Sequence, residues 1–168
     1  MPQVLFVCTG NICRSPMAAA LLFRHIQKSE SDWQTWHVES AGTWTTPGQP
    51  ATSEAQQVMK ERGLDISEHR SRLVTTELME PFNLILTMEP GQKEALKVEF
   101  PKYARRIYML SEMAGEQDPI RDPTGGTLAD YITIVEMIDG KLGKGLPRIR
   151  HLAKNLDRLH RLLKTSQA

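Results

Sequence analysis

The sequence predicts an α/β fold in three layers, a parallel sheet with helices on both faces. Two observations carry that expectation. Short apolar runs alternate with segments of helical periodicity along the chain, and four of those runs have the length of strands. The first run also passes straight into a Gly- and Asn-containing turn that opens a helix. Strands separated by crossover helices lie parallel, and the helices must cover both faces of the sheet.

Taken in order, residues 3–7 are a buried strand, and residues 15–28 carry Met17, Ala20, Leu21 and Ile26 at helical spacing with Pro16 in the first turn. Residues 37–40 read as a second strand and 43–50 as a loop of Thr, Pro and Gly. Residues 53–62 are helical, with Gly63 as the C-terminal cap. A third strand is expected at 83–87, a helix at 91–99 and a fourth strand at 105–110. Residues 111–126 read as a long loop, and 127–140 as a helix. A Gly-rich break at 143–145 then divides a domain of residues 1–142 from a basic amphipathic helix in 143–168, packed on that domain or extending it. Ile149, Leu152, Leu156, Leu159 and Leu163 form the apolar stripe of that helix. Arg148, Arg150, Lys154, Arg158, Arg161 and Lys164 supply its charge.

A chain of 168 residues is long enough for one self-supporting core. Its composition, 40% hydrophobic and 24% charged, is that of a globular protein, and a formal charge of +1 gives no field for nucleic acid or an anionic membrane. The opening residues have neither the basic stretch of a signal peptide nor the length of a membrane span, so a cytoplasmic location is expected. The two cysteines, Cys8 and Cys13, are too close together to staple the fold, and no His/Cys spacing suits zinc. Functional thiols, with no metal or cofactor, are the simpler expectation.

Cys8-Thr9-Gly10-Asn11-Ile12-Cys13-Arg14-Ser15 joins the first strand to the first helix. A loop in this position wraps its backbone round one anion, because a helix N-terminus presents unpaired N–H groups and partial positive charge. Gly10 and Asn11 tolerate the left-handed backbone that a tight nest needs. Arg14 offers two parallel donors to phosphate oxygens. The same field predicts a thiolate nucleophile at Cys8, with Ser15 within reach of its sulfur. No Gly-Lys-Ser/Thr follows, which excludes a nucleotide-binding loop.

The stretch VLFVCTGNICRSPMAAALL resembles the opening of the low-molecular-weight protein tyrosine phosphatase family, whose pattern is V-C-x-G-N-I-C-R-S-P. The resemblance continues in HVESAGT, EHRSRLVTTEL, NLILTM and DPTGGTLADY, over about residues 3 to 140. It implies a four-stranded parallel sheet, a phosphocysteine intermediate and no metal. Two Asp-Pro dipeptides compete for the general acid, Asp118-Pro119 and Asp122-Pro123. The family register, just before Gly-Gly and a helix, favours Asp122. Thr124 stands where the family places an aromatic wall of the substrate slot, and Trp44 is either the opposite wall or a residue packed in its own loop. Ser40 and His69 resemble positions that hydrogen-bond round the loop asparagine, here Asn11.

The resemblance thus implies a hydrolase acting on phosphotyrosine, or aryl phosphate, in phosphorylated proteins. Protein-arginine phosphatases of the same fold carry Thr where this chain has Ile12, and remain the first alternative. A catalytically silent phosphate-binding module is the second. Cys13 is expected either to capture an oxidised Cys8 as a disulfide or to be an inert thiol under the loop. Expected partners are phosphorylated proteins, without nucleic acid or membrane, and the chain is expected to be a monomer or weak homodimer.

Overall fold

The computed structural model describes residues 1–165, with side chains through Asn155. Four parallel strands, β1 (Gln3–Cys8), β2 (His37–Gly42), β3 (Leu84–Thr87) and β4 (Ile107–Met109), form one sheet in the order β2-β1-β3-β4. The helices are α1 (Arg14–Ser29), α2 (Ser53–Glu61), α3 (Thr76–Met79), α4 (Pro90–Glu99), α5 (Leu110–Met113) and α6 (Leu128–Thr165).

The alternation of side chains along a strand divides β1 between two cores. Val4, Phe6 and Cys8 face a cluster that includes Met17, Leu21 and Ile26 of α1 and Val135, Ile138 and Ile149 of α6. Leu5 and Val7 face the other way, onto Met79, Phe82, Leu96 and Tyr103. Every residue from Val4 to Cys8 is buried, as a central strand covered on both faces requires. Cys8 is therefore held at the carboxyl end of a central strand, where parallel sheets place their ligands.

The strands and helices expected from the sequence are present with small shifts at their ends. The fourth strand is shorter than expected, because residues 101–106 form a 3₁₀ turn and Leu110 already starts α5. The loop read from residue 111 thus begins after that helix, and the short α3 was not expected at all.

The largest correction concerns the Gly-rich break. One helix runs from Leu128 to Thr165 without interruption, with Pro147 inside it. Gly145 is there for close approach: a Cβ built on it would lie 2.7 Å from the Met113 Cβ and 2.9 Å from the Met113 carbonyl carbon. Beyond it, Ile149 and Ala153 remain buried in the α1-facing core. Arg148 donates to the Glu112 carbonyl, and Lys154 pairs with Glu30 and Asp32 while lying over the Trp36 ring. The basic residues in this stretch thus bind the domain itself. The side chains of Leu156, Arg158, Leu159, Arg161, Leu163 and Lys164 lie outside those described.

These glycines give opposite expectations for one substitution. Gly140 has nothing within 4 Å of a built Cβ, so Gly140→Ala is expected to stabilise by up to about 1 kcal/mol through helix propensity. Gly145→Ala gains the same propensity but collides with backbone, which no rotamer change relieves. A net loss of about 1–2 kcal/mol is expected from overpacking. Urea unfolding of both variants measures the two signs.

Candidate active site

The loop after β1 is built round the sulfur of Cys8, which is 1% exposed. The Asn11 amide donates to it at 3.3 Å, and the Ser15 hydroxyl lies 3.0 Å away. Asn11 is the loop residue with a positive φ, at 53°. Gly10, expected to share that conformation, does not adopt it. A side-chain frame holds the strained residue in place. Asn11 Nδ2 donates to Ser15 Oγ and to Ser40 Oγ, both at 2.9 Å, and Asn11 Oδ1 accepts from the Arg72 amide at 3.0 Å. Its carbonyl lies 2.6 Å from His69 Nε2, which must be the donor because a carbonyl only accepts. Burial pushes the His69 pKa down, only partly opposed by that bond, so the ring is neutral at pH 7. Ser40 and His69 are both hydrogen-bonded to Asn11.

Other segments clamp the outside of the loop. The amides of Thr43 and Trp44 donate to the carbonyls of Cys8 and Thr9, the Thr52 amide donates to the Ile12 carbonyl, and Gln92 Nε2 donates to Thr9 Oγ1. At Gly42 a Cβ would lie 2.6 Å from the Thr9 carbonyl oxygen, so the end of β2 must be glycine for the loop to sit this close. Trp44 does not pack in its loop: it is 83% exposed.

Arg14 opens α1, whose first turn has no side-chain cap. Its side chain is 1% exposed. Nη1 donates to Glu89 and, at 2.9 Å, to the Ile120 carbonyl; Nη2 lies 3.1 Å from Asp122 Oδ2. Nε is buried with no hydrogen-bond partner. Leaving a buried donor unpaired is costly. Nε and Nη2 form the side of the guanidinium that makes two parallel bonds to an oxyanion. Burial opposes the Arg14 charge, but the charges of Cys8, Asp122 and Glu89 outweigh it and raise its pKa.

Asp122 faces this group from the loop between α5 and α6. Its Oδ1 accepts from the Thr124 hydroxyl at 2.7 Å, the Thr124 amide at 3.0 Å and the Cys13 thiol at 3.5 Å. Burial opposes ionisation, but these bonds and the Arg14 charge hold the carboxyl below the ordinary range. Asp118 is placed elsewhere: its carboxylate pairs with Lys141 of α6 at 2.9 Å. The loop is pinned along its length. Glu116 and Asp118 bind Lys141, the Ser111 hydroxyl donates to the Asp118 carbonyl, and the Ile120 amide donates to the Met88 carbonyl.

Cys8 and Cys13 are both free and buried. Burial, aided by the nearby Cys8 and Asp122 charges, pushes the Cys13 pKa up to about 12, so Cys13 is a thiol. Among the described residues, no group of three or more His, Cys, Asp and Glu is placed to hold a metal ion, and no helix is long and apolar enough to cross a membrane.

Sequence reasoning missed Glu89, Gln92, Arg72, Thr52 and Tyr131. The position of Glu89 carried one signal: an acidic residue before Pro90, just past the end of β3, falls at the carboxyl edge of the sheet beside Cys8.

A cysteine in an anion loop at the end of a central parallel strand, with a buried Arg beside it, defines the class of cysteine-dependent phosphatases. The profile described as "Low molecular weight phosphotyrosine protein phosphatase" matches residues 3–158. The chain is 39% identical over 149 residues to the probable low molecular weight protein-tyrosine-phosphatase EpsP of Ralstonia nicotianae, covering 89% of this chain and 97% of that one. It is 36% identical over 130 residues to the protein-arginine-phosphatase of Bacillus subtilis, covering 77% and 84%. The crystal structure of a low molecular weight protein tyrosine phosphatase from T. tengcongensis superposes with a TM-score of 0.82 at 36% identity, over 88% of this chain and 99% of that one. The chain belongs to the low molecular weight phosphotyrosine protein phosphatase family.

Proposed function

We propose that this chain hydrolyses phosphotyrosine and other aryl phosphate monoesters in phosphorylated proteins, through a phosphocysteine intermediate. The observation that carries the reading is the buried, unpartnered Nε of Arg14 beside the Cys8 loop, with Asp122 facing the same guanidinium. The phosphate dianion takes bonds from Nε and Nη2 and from the amides of Thr9, Gly10, Ile12, Cys13, Arg14 and Ser15, while the Asn11 amide stays on the Cys8 sulfur. In doing so it displaces the Asp122 carboxylate from Arg14. Its negative charge then favours the protonated form of Asp122. The Cys8 sulfur bonds to phosphorus as the phosphorus–oxygen bond of the ester breaks, and Asp122 gives its proton to the departing oxygen. Asp122 next takes a proton from water, whose oxygen bonds to phosphorus as the sulfur–phosphorus bond breaks. Inorganic phosphate and the Cys8 thiolate result.

Ile12 in the loop and the exposed ring of Trp44, whose amide holds the Thr9 carbonyl, favour a flat aromatic substituent. The second reading, phosphoarginine, is favoured by the absence of a ring at Thr124. In either case Cys13 is the resolving thiol if Cys8 is oxidised, and a slow one, because burial keeps it protonated. We place the protein in the cytoplasm as a monomer or weak homodimer.

The test is kcat/KM on matched phosphotyrosine and phosphoarginine peptides. A preference of about tenfold or more for phosphotyrosine is expected from the ring contact; the reverse order assigns the chain to phosphoarginine. Asp122→Ala is expected to lower kcat on phosphotyrosine about 10²–10⁴-fold, the usual range for a general acid. Asp118→Ala, which leaves the buried Lys141 paired with Glu116, stays within about twofold of the parent. Interchanged results would place the acid at Asp118.

A further inference from the structure

Asp122 has two oxygens, and the structure treats them differently. Oδ1 takes all three donors from this side of the loop: the Thr124 hydroxyl, the Thr124 amide and the Cys13 thiol. Oδ2 faces only Arg14, at 3.1 Å. The Cys13 sulfur also lies 3.5 Å from the Thr124 hydroxyl. Separately, Thr52, which caps α2 and bonds the Ile12 carbonyl through its amide, donates to the Tyr131 hydroxyl of α6.

We propose that Thr124 is a positioning residue for the general acid: by occupying Oδ1 it reserves Oδ2, the oxygen turned towards Arg14 and the phosphate, as the atom that carries the proton. The proposal rests on the reading of Asp122 as the acid. An oxygen that already accepts three hydrogen bonds is a poor site for a proton, since protonation would turn its donors into repelling neighbours. Oδ2 gives up its single partner when the dianion takes Arg14, so it is the oxygen free to protonate at the right moment. The role left to Thr124 is thus to aim the acid rather than to line the substrate slot.

The hydroxyl has a second effect, on pH. It stabilises the carboxylate, and the catalytic form is the acid. Removing the hydroxyl favours the protonated form and extends activity to higher pH. The other groups round Asp122 are Arg14 on α1, with Cys8 and Glu89 behind it, Cys13 in the phosphate loop, and Asp118, Arg121 and Asp130, which line the same cleft. None of these changes in the variants below.

The experiment is the pH profile of kcat/KM on a phosphotyrosine peptide for the parent, Thr124→Val, Thr124→Ser and Asp122→Ala. Thr124 is exposed, and Ser keeps its hydroxyl, so loss of folding does not confuse the comparison. In Thr124→Val the alkaline limb is expected to move to higher pH. The ratio of kcat/KM at about pH 7.5 to that at about pH 5.5 rises roughly three- to tenfold, the effect of one hydrogen bond to a charged group. Its maximal kcat falls by up to about tenfold, and Thr124→Ser restores the parental profile. A Thr124→Val limb at the parental position, or one moved to lower pH, overturns the proposal whatever the fall in rate. Asp122→Ala separates the two readings. If it keeps the parental alkaline limb, Asp122 is not the acid and both fail; if it loses the limb while Thr124→Val leaves it unmoved, only the role of Thr124 fails.

Discussion

Cys8→Ser is expected to lose kcat/KM on aryl phosphates on the order of 10⁴–10⁶-fold, the range seen when a covalent nucleophile is removed from an otherwise intact site. The hydroxyl that replaces the sulfur keeps its proton at neutral pH, and no base in the loop is placed to remove it. Ser15 and the Asn11 amide, the two groups beside the sulfur, hydrogen-bond to it and take no proton from it. The rest of the machinery is untouched, because Arg14 is held by Glu89 and Ile120 rather than by Cys8. The variant should therefore still bind inorganic phosphate, and calorimetric titration beside the rate assay checks both halves. Turnover within about a hundredfold of the parent would mean that the phosphoryl group goes directly to water.

Arg14→Lys tests the geometry of the charge rather than its presence. An ammonium on a shorter stem cannot keep the Glu89 and Ile120 contacts and also present two parallel donors to the phosphate. Loss of donors aimed at the developing charge is expected to lower kcat/KM about 10²–10⁴-fold. Stability should fall too, because Glu89 and the Ile120 carbonyl lose partners that are buried in the parent. The two effects are separated by measuring kcat/KM at a temperature where thermal unfolding shows the variant fully folded. A folded Arg14→Lys within tenfold of the parent would show that positive charge alone suffices.

The parts of this molecule that were legible in the sequence are those whose meaning is local. The step from β1 to α1 is one continuous segment, so Cys8, Asn11, Arg14 and Ser15 could be placed together before any fold was known. The buried strands announced themselves by composition, since Val4–Val7 and Leu84–Leu86 have no polar face to show. Gly145 was misread because its reason lies in another helix: only the position of Met113 distinguishes a glycine that permits contact from one that ends a helix. Glu89, Gln92 and Arg72 were missed for the same reason, each meeting the loop across a long sequence separation. Asp122 was separated from Asp118 by family register, and the physical distinction is the partner each one meets, Arg14 or Lys141. Thr124 is the exception. Its bond to Asp122 spans two residues and is a common turn pattern, but attention to the missing ring hid the hydroxyl that took its place.

The pinning of the acid loop bears on which substrates can be served. Its ends run into α5 and α6, which touch at Met113 and Gly145, and Glu116, Asp118 and Ile120 each hold a partner in the body of the domain. A strap fastened at so many points does not swing out to admit a bulky surface and then close behind it. With Asp122 as the proposed proton donor, the phosphorylated side chain has to be delivered to a group whose loop stays where it is. That favours residues carried on free tails, loose loops or locally unfolded stretches, and shuts out the same residue lying flat on a rigid helix or sheet.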